Sequence, residues 1–265
     1  MVETTPHGAQ AGAQESIPAA TIIVFRNGPD GGPPEILMTE RSSGMVFAGG
    51  MAVFPGGRVD PADYELGLQQ AGEEDAEEAA HQIAAVRETL EETGLVIGIH
   101  GAIDADLARA ARHRLLSAKA LAPVLAEFGW SLDLSQLTPF ARWHPKSELL
   151  KRVYDTRFYL ADLGSGAVEI EADLTENTHL FWTTAQDALD AADRGDIKLI
   201  FPTRRNLERV AQFDSFAAAR TQAEAIPVQV ITPLIGEKEG KAWLYIREGL
   251  GYPVTGEALE TSGYK

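Results

Sequence analysis

Within nine residues the chain sets three carboxylates on one helical stripe and then stops the helix: Arg87-Glu88-Thr89-Leu90-Glu91-Glu92-Thr93-Gly94-Leu95. On a helix, positions three and four apart lie roughly 5–6 Å from each other at Cβ, so Glu88, Glu91 and Glu92 share one turn and repel. Acidic residues at these spacings also make ordinary solvated faces, and Arg87 can pair with Glu91 across a turn. The segment upstream favours a site. Val53-Phe54-Pro55-Gly56-Gly57-Arg58-Val59-Asp60-Pro61 runs an apolar strand into a double glycine, which brings bare backbone up to another group. Strand, glycine loop, acidic helix and glycine stop outline a divalent-metal site.

The donor chemistry narrows the metal. The chain has no cysteine, which leaves carboxylates and imidazoles as the metal donors, and of its six histidines none is paired near the acidic helix. An all-oxygen site suits Mg²⁺, with Mn²⁺ as a substitute, better than Zn²⁺. The formal net charge of −16 argues against nucleic acid or an anionic membrane as partner, because both reward clustered Lys and Arg. No apolar run approaches the ~20 residues that span a bilayer, and the first twenty residues lack the basic start and apolar centre of a signal peptide. A hydrophobic content of 45% is ample for a packed core.

These residues resemble the Nudix box, G-x5-E-x7-R-E-U-x-E-E-x-G-U with U apolar. Gly57 matches its opening glycine, and Arg87, Glu88, Glu91, Glu92, Gly94 and Leu95 match its second half, with Thr89 where an apolar residue is usual. Between Gly57 and Arg87 lie 29 residues where the pattern has 13, so an insertion of 16 sits inside the box. The early glutamate, counted eight back from the arginine, falls on Ala79, with Glu77 and Glu78 only neighbours of that place.

A second likeness concerns the branch. Leu37-Met38-Thr39-Glu40-Arg41-Ser42, Gly50 and Phe54-Pro55-Gly56-Gly57 are similar to the coenzyme A diphosphatase signature L-L-T-x-R-S-x3-R-x3-G-x3-F-P-G-G, with Val46 in place of its second arginine. Phe54 to Asp60 and Tyr154-Asp155-Thr156-Arg157-Phe158-Tyr159-Leu160 are also similar to peroxisomal acyl-coenzyme A diphosphatases, although Ser262-Gly263-Tyr264-Lys265 is no peroxisomal address. The expected location is the cytoplasm.

The resemblance implies an α/β (α+β) Nudix fold: a mixed β-sheet between helices, with a helical insertion and a C-terminal helix plus β-hairpin. The expected plan is a loose leader over 1–17, a Nudix domain over 18–200 and a C-terminal extension over 201–265. Strands are expected at Thr21 to Phe25, Glu35 to Thr39, Ala52 to Phe54, Leu95 to Ile99, Leu137 to Trp143, Val153 to Leu160 and Thr178 to Trp182. The box insertion, about 64–78, reads as a loop that turns helical near Glu73, with His81 on the surface. A helical insertion fills about 104–130. One helix runs from Pro202 to about Ala225, and Val228 to Ile231 and Ala242 to Ile246 flank a turn at Gly236 to Gly240.

By the same resemblance, the activity is metal-dependent cleavage of the pyrophosphate in a nucleotide-containing small molecule, coenzyme A or its thioesters first. ADP-ribose, a nucleotide sugar or a dinucleoside polyphosphate is the alternative substrate, and a non-catalytic nucleotide-sensing module is the alternative of another class. Glu88, Glu91 and Glu92 would be metal ligands, Glu91, Glu92 and Arg87 the catalytic set, and Gly56 and Gly57 the loop that curls against the helix. Arg41, Arg58, Arg152 and Arg157 are candidate phosphate clamps, since planar guanidinium suits oxyanions. Glu176 and His179 are alternative bases, Trp143 reads as core, and a second copy of the chain is a candidate partner.

Overall fold

The computed structural model describes residues 16–42, 44, 48–145, 152–164 and 177–262. Most of the leader, Val46 and Glu176 therefore lie outside the described residues. In chain order the elements are β1 Ser16–Arg26, β2 Glu35–Arg41, β3 Ala52–Val53, β4 Gly56–Arg58, α1 Pro61–Thr93, β5 Ile99–His100, α2 Ala105–Ala118, α3 Leu121–Phe128, β6 Ser131–Leu132 and β7 Thr138–Trp143. They continue as β8 Val153–Asp162, β9 Asn177–Thr184, α4 Ala185–Arg194, α5 Phe201–Val210, α6 Phe216–Ala225, β10 Val230–Ile231, β11 Leu234–Lys238, β12 Lys241–Tyr245 and β13 Gly256–Ala258.

The centre is β1, whose unbroken apolar run is buried on both sides. Alternate side chains point to opposite faces of a strand, so Ala20, Ile22 and Val24 join one core cluster and Ile23 and Phe25 the other. The first cluster takes in Ile83, Ala84, Leu90, Leu115 and Val124 from α1, α2 and α3. The second takes in Leu189, Phe201, Leu207 and Ala219 from α4, α5 and α6, together with Leu244, Ile246 and Tyr252. The sheet is mixed, as expected: its path runs β10-β7-β8-β1-β2-β3, with β1 parallel to β8 and antiparallel to β2, while β4 pairs with β1 and β9 with β2. Among the described residues no helix is long and apolar enough to cross a membrane.

Four local expectations are corrected. The stretch after Asp60 is helical from Pro61, not a loop up to Glu73: Pro61 opens α1, and Asp60 and Asp63 form a reciprocal capping box. That helix is two arms, because Gly72 at φ 74° and ψ −179° is in a conformation open essentially to glycine alone. The arms fold back on each other tightly enough that a Cβ on Gly67 would lie 2.8 Å from the Ala76 carbonyl oxygen.

Leu95 to Ile97 are not strand. The Thr93 hydroxyl accepts the Leu95 N–H, Gly98 turns the chain, and pairing is confined to β5. The helix expected from Pro202 to Ala225 is broken in two, because Ser215 caps α6 by accepting the Ala218 N–H. The C-terminal hairpin is β11 with β12 about a Glu239-Gly240 turn in which both residues have positive φ, whereas Val230 and Ile231 form β10 and extend the main sheet beside β7.

Candidate active site

The fold-back at Gly72 sets the centre of the site. Asp63 and Arg87 are separated by 24 positions, yet the Arg87 guanidinium donates from Nε to Asp63 Oδ1 at 3.0 Å and from one terminal nitrogen to Oδ2 at 2.9 Å. That nitrogen also donates to the Arg58 carbonyl, and the other donates to Glu88 Oε1, each at 2.9 Å. Glu91 stands 3.8 Å from the same guanidinium and Asp60 3.6 Å. Burial opposes the charge on Arg87, but the Asp63 hydrogen bonds and the fields of Glu88, Asp63 and Asp60 outweigh it and raise its pKa. One buried cation thus ties both arms of α1 to the glycine loop.

The loop lies against the acidic helix as the double glycine requires. Gly56, at φ 158°, donates its N–H to Glu92 Oε2 at 3.0 Å. A Cβ on Gly57 would stand 2.3 to 2.7 Å from the carboxylate of Glu88, so that carboxylate fills the space a side chain would take. Glu92 is buried, Glu88 largely so, and Glu91 partly exposed. Burial first, then the neighbouring Glu92 and Glu91, push the Glu88 pKa up to about 8 against the pull of Arg87. At the end of α1, Gly94 in the left-handed region closes the helix, and Arg112 donates to the carbonyls of Glu91 and Glu92. Thr89 is fully buried with its hydroxyl bonded to the Ala85 carbonyl, which is how it replaces an apolar residue.

The donors suit a hard cation: all are oxygens, and like charges crowd over Gly57, where a positive ion would relieve Glu88. In the arrangement seen, however, Glu92 is bonded to the loop and Glu88 to Arg87. Among the described residues no three acidic or imidazole groups stand together as a preformed metal cluster.

The other candidates spread out. Arg58 is exposed beside the loop. Arg41 is half-buried at the end of β2, opposite Asn177. Arg152 is exposed at the start of β8. Arg157 is held by Glu77 and Glu78 of the second arm, and Tyr159 donates to Glu78 at 2.8 Å. His179 is exposed on β9 and stacked on Phe181 at 5.6 Å. Trp143 is core, with its N–H near Asn206 and Tyr252. His81, expected on the surface, is 3% exposed: its Nδ1–H donates to the Glu77 carbonyl and its ring meets Tyr64, packed between the arms. Burial lowers its pKa. A cavity of about 410 Å³, lined by Phe25, Arg26, Asp162, Asp214 and Phe216 among others, lies at the far end of β1 and includes none of the acidic-helix residues.

Two residues were missed. Arg112 acts through helix-end carbonyls and leaves no local pattern. Asp63 had a legible signal: counted forward from Gly57, five residues lead to it, whereas counting back from Arg87 lands on Ala79.

A family model described as NUDIX domain matches residues 16–200. Among solved structures, the chain is similar to a NUDIX hydrolase from Alicyclobacillus acidocaldarius, with 26% identity over 78% of this chain and 96% of that one and a TM-score of 0.64. It also matches the NUDIX domain of Shewanella oneidensis NrtR complexed with ADP ribose, at 13% identity over 76% of this chain and 90% of that one, TM-score 0.42. A third match is a C. elegans Ap4A hydrolase, at 15% identity over 79% and 96%, TM-score 0.37. The comparison with curated proteins gives no match.

Proposed function

Because the chain belongs to the Nudix family, we propose that it uses a divalent cation to cleave the pyrophosphate bond of coenzyme A or an acyl-coenzyme A. The reaction class is that of a Nudix hydrolase, which breaks a phosphoric anhydride. The observation that carries the reading is the return of Asp63 to Arg87. With Asp63 as the early acid of the box, the 16 extra residues fall between Asp63 and Arg87, where 23 stand in place of 7. The two arms of α1 absorb this insertion, because it leaves and re-enters at the same place.

Glu88, Glu91 and Glu92 would hold Mg²⁺, or Mn²⁺ in its stead. A cation held there would supply charge neutralisation at the phosphates and a lowered pKa for a water. Glu92, bonded to the Gly56 N–H, fixes the loop to the helix. Arg87 keeps Glu88 and Glu91 directed to one side of α1. Glu91, the most exposed of the three, would be a ligand or take the proton of the attacking water. The bare backbone of Gly56 and Gly57 lets phosphate oxygens approach, and Arg58 stands exposed at that rim. Arg157 would have to release Glu77 and Glu78 to serve as a clamp, so the first phosphate contact falls to Arg58.

Coenzyme A is favoured by the ungapped run from Leu37 to Gly57. Val46, where that signature has an arginine, is what favours ADP-ribose or a dinucleoside polyphosphate instead. Incubation with Mg²⁺ or Mn²⁺ and a panel of these compounds, followed by mass identification of products, decides the matter. Fastest release of a phosphopantetheine-type product from coenzyme A supports the reading, and turnover of ADP-ribose alone replaces it. Nucleotide binding insensitive to Mg²⁺ without any hydrolysis would point to a sensor.

A further inference from the structure

The last turn of α1 carries Glu91 and Glu92, and a helix leaves its final carbonyls short of intrahelical donors. Part of that turn is secured locally: the Gly94 N–H donates to the Leu90 carbonyl, and the Thr93 hydroxyl donates to the Thr89 carbonyl. For Glu91 and Glu92 the donor comes from another element. Arg112 of α2 donates from Nε to the Glu91 carbonyl at 2.9 Å and from a terminal nitrogen to the Glu92 carbonyl at 3.3 Å. A planar guanidinium offers its N–H groups as a rigid fork, a geometry that a lysine ammonium does not reproduce. The donor is itself fixed. α2 buries Ala111 and Leu115 completely in the core cluster that holds Ala84 and Leu90 of α1, and its start is capped by Asp104, which accepts the Leu107 N–H at 2.8 Å. The arginine stem passes the helix stop where Gly94 has no side chain, since a Cβ there would lie 3.8 Å from Arg112 Cδ.

A cation at this place acts in two ways, and for metal uptake they have opposite signs. Its charge at the negative end of the helix offsets the nearby carboxylates, which weakens their pull on a divalent ion. Its fork fixes the peptides that bear Glu91 and Glu92, which spares the ordering that binding would otherwise require. The fork reaches backbone carbonyls and spans two adjacent residues, so one side chain orients both acids at their root. Glu92 is then held a second time by the Gly56 N–H at its carboxylate, while Glu91 stands 32% exposed and has most to lose from a loosened turn.

We infer that Arg112 is a positioning residue, through which α2 sets Glu91 and Glu92 for a divalent cation; this rests on the cation site of the proposed function. Titration of the full chain with Mn²⁺ alone, the free ion followed by electron paramagnetic resonance, tests it without substrate. Arg112→Met should weaken Mn²⁺ binding by about tenfold or more. Arg112→Lys, which keeps the charge and loses the fork, should recover only part of that loss. Arg109→Met, at an exposed arginine of the same helix paired with Asp106, should leave binding unchanged. Unchanged or tighter binding in Arg112→Met is the mark of charge alone and overturns the inference, as does full recovery in Arg112→Lys. A lower melting temperature with parental Mn²⁺ affinity marks a plain helix cap and also overturns it. Should Arg112→Met fail to fold, Arg112→Lys decides by itself: weaker binding supports the inference and parental binding overturns it. A parent chain that takes up no Mn²⁺ overturns the cation site and this inference together, whereas failure to cleave coenzyme A removes the substrate assignment and leaves the titration as it stands.

Discussion

Two arginines are buried in this molecule to nearly the same degree, Arg87 at 4% exposure and Arg209 at 1%, and their surroundings are opposite. Arg87 is matched by carboxylates, bidentate to Asp63 and bonded to Glu88, with Glu91 and Asp60 nearby. Arg209, on α5, donates to neutral acceptors, the Phe140 carbonyl at 2.8 Å and the Gln222 side-chain oxygen at 2.7 Å, and lies 3.9 Å over the Phe140 ring. Acid partners raise the pKa of the first, while burial lowers that of the second. The difference separates two uses of a buried charge. At Arg87 the cation holds an excess of negative side chains in one place, which stores electrostatic repulsion that a divalent cation would relieve. At Arg209 the guanidinium is a rigid, many-donor strut between the sheet, α6 and the C-terminal residues, with no surplus charge.

The sharpest way to break the comparison is to neutralise the surplus itself. Glu92→Gln and Glu88→Gln should each lower turnover by about a hundredfold or more in steady-state assays, with thermal unfolding near that of the parent. Near-parental turnover in either variant would remove the carboxylates from the chemistry.

Exchanging each arginine for methionine tests the contrast directly. Arg87→Met leaves Asp63 and Glu88 buried without a counter-charge and should cost about 3–5 kcal/mol in urea unfolding. Activity should fall with it, because the loop loses its tie to α1. Arg209→Met strands only neutral acceptors, so about 1–3 kcal/mol is expected with kcat unchanged. Equal losses of activity in the two would erase the distinction.

The smallest effect sharpens the structural side. Arg205 and Glu208 on α5 are ion-paired at 2.8 Å, yet burial dominates both: the arginine pKa is lowered and the Glu208 pKa is pushed up from 4.5 to about 7. An acid whose pKa rises on folding favours the native state most below its unfolded value, and that contribution is lost as pH climbs through the folded one. Melting temperature should therefore decline between about pH 4.5 and pH 7 by an increment that Glu208→Gln flattens. An unchanged pH slope in the variant would show that Glu208 does not titrate there.

The acidic site is the part of the molecule most legible in its sequence, since helical spacing fixes which carboxylates share a face and a double glycine marks where a loop must approach. The strands around β1 are legible for a similar reason: alternating side chains buried on both faces leave an unbroken apolar run. Local rules failed where one residue breaks a run whose composition would continue it. Leu95 to Ile97 have strand composition but turn away at Gly98, and the long C-terminal helix stops at Ser215, a cap whose signal was present at Asp214-Ser215. His81 looked like a surface histidine because nothing nearby in sequence announces the arm that covers it.

What the amino-acid order determined unaided is the inventory: no thiolate donor, three glutamates in one turn, glycines where backbone must come close, and two apolar faces for β1. What only the tertiary structure decided is who meets whom across distance. The fold-back at Gly72 makes Asp63 the acid on Arg87, and the second arm turns Arg157 from a ligand candidate into the partner of Glu77 and Glu78. Side-chain spacing along one helix is a local property of the chain, whereas a charge finds its counter-charge through whichever segments the core brings together.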